Sequence, residues 1–144
     1  MTKMYATFLF IVACNLHGIA QHSIIGLWKN LDDEDGKEKS HIRVYEEKGF
    51  LKAKVIKLLP AATLKVCTKC AGPQKDKPIE GMEIMWGLKK KNDVEYEGGE
   101  ILNPKNGKIY SCKINLEKDN RLKVHGYLGF SFIGKSQYWL RVQE

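Results

Sequence analysis

The sequence predicts an all-β protein, a single eight-stranded antiparallel up-and-down barrel, and three observations carry that expectation. Apolar residues recur with a period of two along most of the chain. Turn-forming residues interrupt them every ~8 to 12 positions, the spacing of sandwiches and barrels. No window after Gln21 carries a convincing helical stripe, so helix content should be low. Eight short strands joined in succession by hairpins close naturally on themselves, and closure removes the unpaired edges that an open sheet would expose.

The expected strands, in order, are residues 24–30, 41–46, 50–59, 81–88, 95–102, 108–116, 122–128 and 137–142. The breaks between them carry turn chemistry: residues 33–36, Glu47-Lys48-Gly49, Asn92-Asp93, Asn103-Pro104-Lys105-Asn106-Gly107 and Asp119-Asn120. Asn, Asp and Gly tolerate positive φ there, and Pro pre-sets its own φ. The longest connection, residues 59–79, is expected to hold at most one helical turn, within residues 61–77. A connection of that length without regular structure is usually functional or flexible.

Alternation assigns the faces. In residues 109–116 the apolar set is Tyr110, Cys112, Ile114 and Leu116, against Ser111, Lys113 and Asn115. In residues 122–128 it is Leu122, Val124, Gly126 and Leu128, against Lys123, His125 and Tyr127, and Met82, Ile84, Trp86 and Leu88 form a third inward row. One face is core and the other wet. An eight-stranded barrel is just wide enough to fill with side chains or to hold one small ligand, and the sequence leaves both outcomes open. The expected ligand site is the set of inward rows beneath the long connection: Met82, Ile84, Trp86, Tyr110 and Leu128. These offer apolar walls with a tyrosine hydroxyl as polar handle, the mixture that small-ligand pockets show.

The 144 residues are 43% hydrophobic and 28% charged, with four Pro and thirteen Gly, which fits one globular domain and excludes a disordered, collagenous or repeat chain. The longest apolar stretch covers residues 5–13. It is far short of the roughly 20 residues of a membrane-spanning helix. With Lys3 before it and Gly18-Ile19-Ala20 after it, this stretch reads as a signal peptide over residues 1–20, cleaved before Gln21, leaving residues 21–144 as the barrel domain. The protein is then exported, periplasmic or secreted. A competing reading takes Ile11-Val12-Ala13-Cys14 as a lipobox, with Cys14 lipidated and residues 15–23 as a short tether to a membrane. Lys3 is the one charge in the removed segment, so 23 Lys and Arg against 17 Asp and Glu remain, a net charge of +6. These charges are spread rather than clustered, and with export they make nucleic acid an unexpected partner. Lys89-Lys90-Lys91 reads as a solvated turn.

Five ordered motifs carry a resemblance. They are Ile25-Gly26-Leu27-Trp28; Cys67-Thr68-Lys69-Cys70 followed by Lys77-Pro78-Ile79-Glu80-Gly81; Gly98-Gly99-Glu100-Ile101-Leu102-Asn103-Pro104 leading to Gly107-Lys108-Ile109-Tyr110; Gly126-Tyr127-Leu128-Gly129; and Gln137-Tyr138-Trp139-Leu140-Arg141. Over residues 24–142 the chain resembles the family known as domain of unknown function 2147, small exported bacterial proteins. The resemblance implies a lipocalin-like (calycin-like) β-barrel and no assigned activity. Asn103 stands where the family usually has aspartate, which puts in doubt any acidic role there. Gly26, Trp28 and Arg141 are similar to the lipocalin arrangement in which an arginine from the last strand covers a first-strand tryptophan. Closure is the physical reason, because first and last strands must pair, and a guanidinium stacked on a partly desolvated indole contributes about 0.5 to 2 kcal/mol. Trp139 shares the parity of Arg141 and is expected to share that stack.

Cys67, Cys70 and Cys112 survive cleavage, an odd number in an exported chain where disulfides persist. A structural crosslink is expected, either Cys67 to Cys70 or one of them to Cys112. Zinc would need these three and His125 to converge, whereas Cys112 faces in and His125 out, so no metal site is expected. A redox role would want the first cysteine at a helix N-terminus, and a loop surrounds it instead. No nucleophile elbow, zinc-protease motif or phosphate loop occurs. His41 and His125 sit at outward positions beside Lys or Arg, and Glu83, Glu97 and Glu100 read as surface carboxylates. No cofactor is implied, and an enzyme is the least supported of three functions. The first is a carrier or sensor of a small apolar or amphipathic ligand; the second is a filled-barrel structural or interaction module of the cell envelope with an envelope partner. The intact mass of protein recovered from its own cells is expected to begin at Gln21; a diacylated Cys14 would overturn simple secretion and put the domain on a membrane.

Overall fold

The structure is a computed structural model that describes residues 23–118 and 120–144 together with Thr2. The expected signal segment, its cleavage point and Cys14 lie outside the described residues. Eight strands follow one another: β1 Gly26–Leu31, β2 Glu38–Glu47, β3 Phe50–Leu58, β4 Glu83–Lys90, β5 Glu95–Asn103, β6 Lys108–Glu117, β7 Arg121–Tyr127 and β8 Gly134–Arg141. Each pairs antiparallel with the next and β8 returns to β1, which closes the barrel. All eight expected strands are present, with ends shifted by up to about three residues. The helical turn expected in the long connection is a 3₁₀ turn at Gly72–Gln74. Among the described residues no helix is long and apolar enough to cross a membrane.

Parity places the core as the alternation requires in β6 and β7. Cys112 and Ile114 on β6 and Leu122 and Val124 on β7 are buried, and across the ladder Cys112 faces Gly126, Ile114 faces Val124 and Leu116 faces Leu122. β4 departs from it. Ala53 pairs with Met85 and Lys54 with Glu83, so Ile84 is an extra residue opposite β3, and a second irregularity lies between Met85 and Leu88. Such bulges break the period of two, and every residue beyond one changes face. Ile84 and Met85 are therefore both buried. Trp86 corrects the expected inward row: it lies opposite the exposed Glu100 on the outer face, half-buried. Met82 is buried just ahead of β4.

The last closure is short. β1 meets β8 through three pairs, Trp28 with Arg141, Lys29 with Leu140 and Asn30 with Trp139. The Arg141 guanidinium stands 4.3 Å from the centre of the Trp28 ring, the stack the sequence suggests, and Trp28 is fully buried. Trp28 Nε1 donates to Ile24 O at 2.9 Å, while Arg141 donates from Nη2 to Ser23 O at 2.5 Å and from Nε to Asn120 Oδ1 at 3.0 Å. Gly26 makes room for this. Its φ is +150°, and a Cβ there would sit 3.0 Å from Arg141 Nη1. A side chain at that position would crowd the guanidinium, which would have to give by a few tenths of an ångström.

The bridge between Cys67 and Cys70 forms, and Cys112 is a free, buried thiol. Closing so short a loop contributes about 2 kcal/mol by chain entropy, less than the long bridge to Cys112 would. The bridged segment is held at both ends: Cys67 N–H donates to Lys77 O and Ile79 N–H to Lys65 O. It packs on the β5–β6 turn, with Cys67 Sγ 3.6 Å from Pro104 O. Gly107, at φ +71°, passes so close to the Lys69 carbonyl that any Cβ would collide with it. The seal yields a measurable expectation. Replacing Arg141 by Ala should lower stability by about 1 to 2 kcal/mol in denaturant unfolding, and an unchanged midpoint would show that the stack contributes nothing to closure.

Candidate functional site

One end of the barrel is sealed by the Trp28 and Arg141 stack, and the other opens. The open end gathers the β1–β2, β3–β4, β5–β6 and β7–β8 connections around a cavity of about 960 Å³. Ile42, Val55, Ile84, Ile101 and Val124 form its apolar wall. The inward row of β8 descends from Lys135 at the mouth through Gln137 to Trp139, all three lining the cavity, and then to Arg141 at the seal. Lys135 to Trp139 spans about 13 Å at the usual rise per strand residue. Opposite Trp139 stands Asn30, whose Oδ1 accepts from Ser40 N–H and Ser40 Oγ–H, both at 2.8 Å.

Three of the five residues expected to meet a ligand line this cavity: Ile84, Tyr110 and Leu128. Met82 and Trp86 do not, Trp86 because the β4 bulge turns it outward. Tyr110 Oη is already engaged, accepting from Asn106 Nδ2 at 2.8 Å. In the long connection, residues 61–64 and Ile79 line the mouth while the disulfide-bearing part lies against the β5–β6 turn. Alternation in β6 and β7 did not reveal Asn30, Ser40, Gln137 or Trp139. Their signal was the parity of the seal itself, since Asn30 is two residues from Trp28, and Gln137 four from Arg141.

Gly126 keeps the middle of the cavity open. A Cβ there would make ordinary contacts, 3.5 Å from Tyr110 Cβ and 3.6 Å from Ile101 Cγ2, so a larger side chain would project into the space between them.

An ion pair crosses the mouth. Lys105 Nζ on the β5–β6 turn lies 2.5 Å from Asp32 Oδ2 and 3.6 Å from Glu34 Oε2 on the β1–β2 connection. Those two hairpins are not neighbours in the barrel. Lys39 adds a second tie, 2.7 Å from Asp35 Oδ2 and donating to Ala61 O at 3.1 Å. Asp32 is nearly buried, and burial raises its carboxyl pKa. Lys105 and the N–H groups of Glu34 and Asp35, at 2.8 and 3.3 Å from Oδ1, outweigh burial and hold it below the ordinary aspartate value. The rim beyond is apolar: Leu128, Phe130, Phe132 and Ile133 are exposed, Phe132 to 81%, with the two phenyl rings stacked at 5.5 Å.

Catalytic chemistry finds few materials here. Burial pushes the Cys112 thiol up to about 12, so at neutral pH it is no nucleophile. His125 is on the outer face, with Nδ1 2.8 Å from Ser136 Oγ and Nε2 2.5 Å from Ser131 O. Among the described residues no three His, Cys, Asp or Glu side chains converge as a metal site would need.

A closed eight-stranded barrel with one sealed end and one open end above a cavity defines a lipocalin-like protein. The chain belongs to the family described as an uncharacterized protein conserved in bacteria (DUF2147), matched over residues 26–141. A solved structure with the same fold is protein HP1028 from the human pathogen Helicobacter pylori, described as belonging to the lipocalin family. It is 19% identical, with 85% of this chain and 84% of that chain covered and a TM-score of 0.75. A redesigned β-barrel, b11L5F_LGL, is 17% identical over 83% of this chain and 91% of that chain, with a TM-score of 0.45. No curated protein matches the chain significantly.

The pKa direction of Asp32 sets a pH dependence. A carboxyl lowered in the fold contributes stability that is fully present above its unfolded value, about 4, and is lost as pH falls through the lowered folded value. The thermal midpoint is therefore expected to drop as the pH falls below about 4. Asp32→Asn should lose less over the same interval, and an equal loss in both proteins would show that the pair across the mouth does not couple to folding.

Proposed function

We propose that this protein is an exported carrier or sensor that holds one small amphipathic molecule in its barrel. The observation that carries this reading is the cavity of about 960 Å³, open at one end, walled by aliphatic side chains and lined at its mouth by many polar and charged ones. That size and the apolar wall are those of small-molecule sites. An interior packed with side chains would have favoured a structural module, and Gly126, Ser40 and Asn30 leave the space instead. Export is part of the proposal: residues 1–20 read as a signal peptide, and the Cys67 to Cys70 bridge suits an oxidising compartment. The likeness to a lipocalin-family structure supports the reading through fold alone.

The exposed rim favours a second reading, an interaction module of the cell envelope. Leu128, Phe130, Phe132 and Ile133 form an apolar edge of the kind that marks contact surfaces. The two readings separate on one variant. The wild-type protein is expected to bind the apolar fluorophore N-phenyl-1-naphthylamine, and Gly126→Phe, which sets a ring across the cavity, should weaken binding by about fivefold or more, on the order of 1 kcal/mol. Its unfolding midpoint should stay near the wild-type value. Undiminished fluorophore binding in Gly126→Phe would remove the cavity from the function and leave the rim.

A further inference from the structure

Two indoles are buried in the lower half of the barrel, and they differ in one respect. Trp28 Nε1 donates to a backbone carbonyl, whereas Trp139, 1% exposed and lining the cavity, keeps a buried Nε1–H with no acceptor. Buried donors without partners are few in native proteins, because each forfeits its bonds to water. The other buried atom of this kind, Glu83 Oε1, lies 3.2 Å from Lys52 Nζ and away from the cavity. The indole of Trp139 is thus the lone cavity-lining member among the described residues.

Its surroundings narrow the chemistry it can take. Across the ladder, the Asn30 carbonyl oxygen is turned to Ser40, which leaves the Asn30 amide N–H groups as the remaining hydrogen-bonding capacity of that side chain. Gln137, one inward step nearer the mouth, brings a second amide. The groups offered at this depth therefore include donors from three residues. The lysines that line the cavity, Lys37, Lys39, Lys105 and Lys135, belong to its mouth, and Lys39 and Lys105 are paired there with Asp35 and Asp32. Arg141 lies beyond Trp139, stacked on Trp28 and bonded to Ser23 and Asn120. A carboxylate placed against Trp139 would lose its hydration with no counter-charge, while an uncharged oxygen would gain a donor at far smaller desolvation cost.

Resting on the carriage reading above, we propose that the ligand enters with an uncharged hydrogen-bond acceptor leading, a ketone, ester or amide oxygen. Trp139 Nε1–H donates to that oxygen at the cavity floor, with the amides of Asn30 and Gln137 beside it. The apolar remainder of the ligand then runs up the wall of Ile84, Ile101 and Val124 toward Leu128.

The test compares 2-nonanone, nonane and nonanoate as displacers of N-phenyl-1-naphthylamine from the wild-type protein and from Trp139→Phe. 2-Nonanone should displace at about tenfold lower concentration than nonane, the effect of one good hydrogen bond to a buried donor. In Trp139→Phe the ketone should fall to the level of nonane, with nonane itself unchanged. A second readout needs no variant to fold well. In a ¹⁵N-labelled wild-type sample the Trp139 indole N–H resonance should move on adding 2-nonanone and stay in place with nonane. Equal displacement by ketone and alkane, or a still indole resonance, overturns the inference while leaving carriage intact. Nonanoate as the tightest of the three overturns its uncharged acceptor. Failure of all three to displace a bound fluorophore, or failure of the fluorophore to bind, overturns the carriage reading itself and the inference with it.

Discussion

The stack of Arg141 on Trp28 is the contact on which the rest of the barrel depends. Seven of the eight ladders join strands that are neighbours in sequence, six of them through a short connection; the eighth joins the two ends of the domain through three residue pairs. A seam so short and so non-local has little to hold it beyond its side chains. The guanidinium supplies what the ladder lacks. It covers the indole, reaches Ser23 on the segment before β1 and Asn120 on the β6–β7 connection, and so joins three parts of the chain at the sealed end. Gly26 belongs to the same device, since its missing side chain is the space the guanidinium occupies.

Sealing one end with large side chains is also what permits a cavity at the other. Trp28, Trp139 and Met85 are among the largest fully buried residues. Along β1 and β2 the inward positions become smaller and more polar toward the mouth, from Trp28 and Ile42 to Asn30 and Ser40. Bulk at the bottom secures the fold, and the upper half is released from packing to be lined for a ligand. The mouth is then held by charge instead of by packing, through the Asp32 to Lys105 and Lys39 to Asp35 pairs.

The strand order was legible because it rests on a local signal, alternation between turn residues, and the seal because Gly26, Trp28 and Arg141 resemble the lipocalin arrangement. Ile84, Tyr110 and Leu128 were legible as cavity residues through the same alternation. Trp86 was not, because a bulge is a property of pairing, and nothing in Glu83 to Leu88 announces that β3 will leave Ile84 unopposed. The polar floor was overlooked for a different reason. Alternation draws attention to apolar rows, whereas Asn30 and Gln137 are polar residues at inward positions, and only extending the parity of the seal upward from Trp28 and Arg141 picks them out. The ion pair across the mouth joins residues 73 positions apart in the chain, Asp32 and Lys105, and no spacing rule links them.

The buried thiol of Cys112 bears on how the chain acquires its crosslink. The three cysteines of the described residues allow three pairings, and two of them would tie the interior of β6 to the long connection outside the barrel. Cys67 and Cys70 are three residues apart and meet in an unfolded chain far more often than either meets Cys112. Once the barrel shuts, the third sulfur is enclosed beside Met85, with Cys112 Sγ 3.8 Å from Met85 Sδ, and is protonated at neutral pH. Proximity favours the bridge that forms, and the closed barrel keeps the third sulfur out of reach of exchange with it.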